Sequence, residues 1–219
     1  MTATSQDNHQ LVKINIDMKL ISRLLSWIFS PLLCPTYAVI IIFIISQLAL
    51  VPTGVKISSV VATFITTCVV PAGVIMALYL MGYVSDPGLN NRTERTLPYL
   101  IAVICYVACI IFFYRANAPL WMLLFMGGAS VACGVNIVVN RWWKISAHAA
   151  GVAGIVALIV RIAVDNLAIV DLFWWMTGSI LVTGAVMTAR VYMQRHTLWQ
   201  VVAGAFNGFI CVYLATMIN

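Results

Sequence analysis

Residues 146–164 read Ser-Ala-His-Ala-Ala-Gly-Val-Ala-Gly-Ile-Val-Ala-Leu-Ile-Val-Arg-Ile-Ala-Val. Beyond His148 a single charged residue, Arg161, interrupts the apolar run. A helix that crosses a bilayer needs about 20 mostly apolar residues, and this stretch has the length and the character. Six others share them: 21–50, 57–84, 97–114, 118–140, 171–190 and 197–217. Only helices or closed barrels satisfy their backbone in lipid, and runs this long and continuously apolar exclude a barrel. The expected fold is therefore all-α, a polytopic membrane helical bundle of about 6–7 transmembrane helices.

Composition agrees. Of 219 residues, 63% are hydrophobic and 8% charged, against about 25% charged in an ordinary soluble domain. A soluble fold could not cover its surface with so little charge. The first 17 residues are polar and lack a signal peptide's short apolar core, so residues 1–17 are expected as a mobile tail and 18–219 as one transmembrane domain. Pro31 and Pro35 should kink the first long stretch or make it begin as an interfacial helix, and Pro71 should kink the second. Cys34, Cys68, Cys105, Cys109, Cys133 and Cys211 lie in apolar stretches and read as small hydrophobes. The Gly204/Gly208 pair, and Gly127, Gly128, Gly134, Gly151 and Gly154, read as close helix packing.

Parity groups the loops. If all seven stretches cross, the connections at 85–96, 141–145 and 191–196 share a face with the N-terminus. That face carries Lys13, Lys19, Arg23, Arg92, Arg95, Arg141, Lys144, Arg190 and Arg195, nine of the twelve cations. The other face carries Lys56 and Arg115, with Arg161 just inside its span. His148 and His196, the two histidines outside the N-terminal stretch, fall on the cationic face. The formal charge of +6 suits loops at an anionic surface or a site for an anionic substrate. Leaving out the site loops, Lys13, Lys19 and Arg23 against Lys56 and Arg115 favour a cytoplasmic N-terminus. Trp142, Trp143, Trp174, Trp175 and Trp199 are expected as interfacial anchors rather than groove walls.

Three segments on that face carry chemistry. Ser146 stands in the N-cap position of an apolar helix, whose free N–H groups and positive end bind phosphate, with His148 on the first turn. Arg190 can grip two phosphate oxygens at once. A neutral His196 can attack phosphorus if its other ring nitrogen is held by an acceptor, and Gln200, one turn on, is placed to hold it. Thr197-Leu198-Trp199-Gln200 is equally a capping-box pattern. The third segment, Asn90 to Pro98, supplies Arg92 and Arg95.

The order of these segments resembles the type-2 phosphatidic acid phosphatase superfamily, whose motifs are K-x6-R-P, P-S-G-H and S-R-x5-H-x3-D. Ser146-Ala147-His148 resembles the second. Arg190-x5-His196 keeps the spacing of the third, with Ala189 for its serine and Gln200 for its aspartate. Arg92 to Pro98 resembles the first without its lysine. The resemblance covers about residues 86–205. It implies His196 as nucleophile and His148 as general acid. Arg190, Ser146, Arg95, Arg92 and Lys144 would hold phosphate, and Gln200 would orient the nucleophile. It further implies a metal-independent hydrolase without cofactor, acting on a lipid phosphate or polyprenyl (pyro)phosphate. Its setting would be a multi-pass protein of a bacterial inner (cytoplasmic) membrane, with membrane lipids as partners and no nucleic acid. Gln200 lacks the charge that would stabilise an imidazolium, unless Asp86 or Glu94 supplies it. A catalytically impaired phosphatase-fold binding protein is one alternative. Another is a membrane prenyltransferase, whose diphosphate-binding loop is similar to Asp86–Pro98 but which needs clustered aspartates for magnesium. A transporter using the Arg161/Asp165 pair is a third; an ordinary i,i+4 ion pair explains that pair more simply.

Overall fold

The computed structural model describes residues 3–89 and 91–217, with side chains from residue 16 onward. Among these residues the chain is all-helical. Eight helices follow in order: α1 (Ala3–Ile28), α2 (Cys34–Ile45), α3 (Thr53–Leu80), α4 (Thr96–Arg115), α5 (Leu120–Val139), α6 (Ala147–Val164), α7 (Phe173–Tyr192) and α8 (Leu198–Thr216). Five are long and apolar enough to cross a membrane: α3, α4 with its leading 3₁₀ turn, α5, α6 and α8.

At the N-terminal end α1 begins at Ala3 and runs through the polar stretch; residues 1–2 lie outside the described chain. The apolar run 21–50 is not one span. It breaks between α1 and α2 at 29–33, around Pro31, whose ring and missing N–H cannot continue a helix. Pro35 instead sits in the first turn of α2, where proline is tolerated. At 12 residues, α2 is about 18 Å long, short of a bilayer's core. α7 matches the expected 171–190 stretch in position, but Trp174, Trp175 and Arg190 lower its hydropathy. Pro71 does not stop α3. A π-turn over Ile65–Val69 precedes it, and the wider turn absorbs the hydrogen bond that proline cannot donate.

α6 is the central element. Twelve of its residues are buried, as an all-round apolar helix requires. It packs against α2, α5, α7 and α8. The α6–α8 contact is backbone on backbone. A Cβ at Gly204 would strike the Ser146 carbonyl, and one at Gly208 the Ala150 carbonyl. The glycines therefore set how near His148 and His196 can come. Gly208→Ala is expected to lower stability by about 1–3 kcal/mol or more, the usual cost of overpacking. Gly127→Ala, which meets open space, should leave the melting midpoint in detergent unchanged. Equal midpoints for the two variants would contradict the close contact.

At one end of the bundle Gln47 N–H donates to the Leu167 carbonyl at 3.0 Å and Ile169 N–H to the Ile45 carbonyl at 2.9 Å. Arg161 pairs with Asp165 at 2.6 Å there and lies over the Tyr213 ring. The loops of the cationic face gather at the opposite end.

Candidate active site

Hydrogen bonds stitch three distant segments together. Arg95 closes a 3₁₀ turn, Thr93–Arg95, ahead of α4. Its Nε donates to the Leu89 carbonyl at 2.7 Å and its Nη1 to the Ile145 carbonyl at 3.3 Å. Asn140 Nδ2 donates to the Arg92 carbonyl at 2.8 Å. Ser146 N–H donates to the Gln200 carbonyl at 3.2 Å. Between α7 and α8 the chain reverses through Gln194, at φ 55°. The N–H groups of Arg195 and His196 close on the Arg190 carbonyl at 3.1 and 3.4 Å. The five-residue gap between Arg190 and His196 is thus the length of one helix end and its reversal.

Gln200 fills both roles foreseen for it. Its Oε1 accepts the Thr197 N–H at 3.2 Å, completing a capping box at the start of α8, and stands 3.2 Å from His196 Nδ1. The backbone N–H can only donate, so the amide atom facing it is oxygen. That oxygen can only accept, so Nδ1 carries the ring proton. His196 Nε2 is left with its lone pair free.

Burial first, then the charges of Arg95, Arg190 and Lys144, push the His196 imidazole down to about 3 from 6.5, against the Gln200 hydrogen bond. The ring is neutral across the physiological range. The sign follows: between pH 6.5 and about 3 the unfolded chain binds a proton that the folded chain refuses, so stability falls as pH falls through that window. Melts from pH 7 to pH 4 should show the loss, and His196→Ala should show a shallower one.

His148 is held from elsewhere. Its Nε2 lies 3.1 Å from the Ser26 carbonyl at the end of α1, and a carbonyl can only accept. The proton therefore sits on Nε2, and Nδ1 is the ring's remaining site. No local spacing announced Ser26.

Arg95, His148, Arg190 and His196 line one cavity of about 980 Å³, with Ala147 of the first turn of α6 in its wall. Arg190 is 8% exposed, and its Nε is buried without a hydrogen-bond partner. A buried donor left unmatched costs free energy until an acceptor arrives, and an anion is the strongest acceptor. Lys144 stands beside this group. Burial, then the charges of Arg95, Arg190 and Arg195, hold its ammonium below the usual lysine range. Concentrated positive charge of this kind favours an anion.

Four expected residues sit outside the cavity wall. Ser146 is fully buried, and its hydroxyl accepts the Ala149 N–H at 3.3 Å as the α6 cap. Arg92 contributes its carbonyl to Asn140. Lys144 and Gln200 act from behind the wall. Arg195, Arg23, Tyr99 and Asp86 do line it, though sequence spacing assigned them no phosphate role. Arg195 adjoins His196, which was the available signal. Glu94 accepts from Ser85 N–H and Asn91 Nδ2, both at 2.8 Å, and Asp86 Oδ1 accepts the Gly88 N–H at 2.9 Å; of the two carboxylates, Asp86 is the one that lines the cavity. Among the described residues no three His, Cys, Asp or Glu side chains converge as a metal-ligand set. Trp142, Trp143, Trp174 and Trp199 are exposed, Trp175 packs against the hydrophobic core, and none of the five lines the cavity.

No protein-family model matches this chain, and no curated protein or solved structure is detectably similar to it.

Proposed function

We propose that this chain is a multi-pass protein of a bacterial inner membrane and a metal-independent phosphatase, hydrolysing a lipid phosphate or polyprenyl (pyro)phosphate through a phosphohistidine. One observation carries the reading. The His196 ring, its proton held on Nδ1 by Gln200, shares a cavity with a buried Arg190 whose Nε has no partner among the described residues.

The steps follow from the groups present. Arg190 and Arg95 hold the phosphoryl oxygens, and Lys144 adds charge from behind. His196 Nε2 attacks phosphorus; the P–N bond forms and the P–O ester bond breaks. The departing alkoxide takes a proton from His148, which supplies it from Nδ1 once that nitrogen is protonated beside the anion. Water, losing its proton to His148, then attacks phosphorus. The P–N bond breaks, inorganic phosphate leaves and the ring recovers its lone pair.

A second reading rests on Gln200. An amide orients the ring but does not neutralise an imidazolium, which favours a catalytically impaired protein that binds an anionic lipid headgroup. Prenyl transfer has less support, since Asp86 is the one aspartate in its loop. The deciding experiment is a phosphate-release screen of detergent-purified protein on a panel of lipid phosphates, with acid-labile phosphoprotein trapped by quenching. Release with a trapped phosphohistidine supports the phosphatase. Tight binding of every lipid phosphate with release from none supports the binding protein.

A further inference from the structure

The cavity does not stop at the phosphate site. On α4 its wall runs from Arg95 through Tyr99 and Ala102 to Tyr106, positions three or four apart on one helical face. On α5 it runs from Asn136 through Ala132 and Ala129 to Phe125, and on α6 from His148 through Gly151 to Ile155. Arg95 to Tyr106 and Asn136 to Phe125 each span eleven residues, a depth of about 16 Å at about 1.5 Å per residue. Beyond Asn136 these walls are apolar or aromatic, and all charged lining residues lie at the mouth. The mouth is flanked by the α1–α2 break, where Trp27, Ser30 and Pro31 line it.

A cavity with guanidiniums and imidazoles at one end and hydrocarbon at the other matches an amphiphile with an anionic head. We infer that the substrate's hydrocarbon tail is drawn inside the helix bundle, rather than left in the surrounding lipid, and that Phe125 and Tyr106, the lining residues of α5 and α4 farthest from Asn136 and Arg95, measure its length. The inference rests on the phosphatase reading only for the identity of the head. Ala102 and Ala129 lie seven residues from Arg95 and Asn136, about 10 Å down, and their small side chains leave the bore open.

The test uses a homologous series of n-alkyl phosphates and the matching non-hydrolysable n-alkyl phosphonates. With wild type, affinity for the phosphonates should rise about fourfold per methylene, as burial of each CH₂ predicts, and then level off at a fixed chain length. Ala102→Phe and Ala129→Phe should each move the levelling point to shorter chains and lower the long-to-short affinity ratio about fifteenfold, the worth of two lost methylenes. A levelling point that both variants share with wild type overturns the inference. A second arm needs no substitution. Cys133 and Cys68 line the cavity, so a long-chain phosphonate should slow their alkylation by a hydrophobic maleimide, and methylphosphonate should not. Equal labelling rates with both ligands overturn the inference too. Phosphate release from the alkyl phosphates is scored separately. Length-limited binding without release keeps the tail site and removes the phosphatase; release with no length limit does the reverse.

Discussion

His196→Ala is expected to lose phosphate release by about 10⁴-fold or more, the scale seen when a nucleophile is removed from a covalent mechanism. The guanidiniums around the phosphate carry no lone pair to attack with, and His148, whose Nε2–H is held by the Ser26 carbonyl, has its Nδ1 assigned to the leaving group's proton. Binding should survive, because the positive groups at the mouth are untouched and removing an imidazole leaves more room for the anion. The fold should survive as well. Gln200 keeps its hydrogen bond to Thr197 N–H, so the α8 cap remains. The measurement is phosphate release beside phosphonate affinity on the same preparation. Unchanged release would remove His196 from the mechanism, whatever else the cavity does. His148→Ala should cost less for substrates whose leaving group needs no protonation, such as an aryl phosphate.

Gln200→Glu is expected to act in the opposite direction, raising release by about 10²- to 10⁴-fold, by analogy with the loss when a triad aspartate is made neutral. Glutamate has the length of glutamine and is equally suited to a capping box, so Thr197 keeps its partner. The difference is one negative charge beside Nδ1. That charge stabilises the cationic ring formed as Nε2 bonds to phosphorus, and it lifts the His196 pKa from about 3 back toward the ordinary range. Both readouts are available: the pH–rate profile should gain an acid limb as its rate rises. A variant with an unshifted profile and unchanged rate would show that Asp86 or solvent already balances the ring.

The residues that were legible in advance are those whose signal is local or compositional. The apolar runs at 57–84, 97–114, 118–140 and 146–164 became helices, with ends within a few residues of the runs, because nothing in them competes with the helix. Within 21–50 the break at Pro31 was legible, since a proline ring cannot continue a helix; that the helix after it would run only 12 residues was not. The polar residues after Met1 carry no hydrophobic pattern, so α1 could not be traced back to Ala3. At the site, the His196–Gln200 contact was readable because four residues make one helical turn. The hold of Ser26 on His148 was not, because the acceptor is a backbone carbonyl 122 residues away, and carbonyls have no sequence signature. Arg92 and Arg95 look alike on paper. The 3₁₀ turn buries Arg95 in the cavity wall and leaves Arg92 half-buried outside that wall. Ser146 is the α6 cap that its position before the apolar run announced, but that the cap would lie behind the cavity wall was not readable from the sequence.

A single amide oxygen at residue 200 answers to two masters, the first turn of the last helix and the tautomer of the ring beside it. Each substitution there is read twice, once as a change in where a helix starts and once as a change in which nitrogen is free to react. Only a side chain that ends in an accepting oxygen serves both, so a residue without one at this position gives up the helix start and the tautomer together.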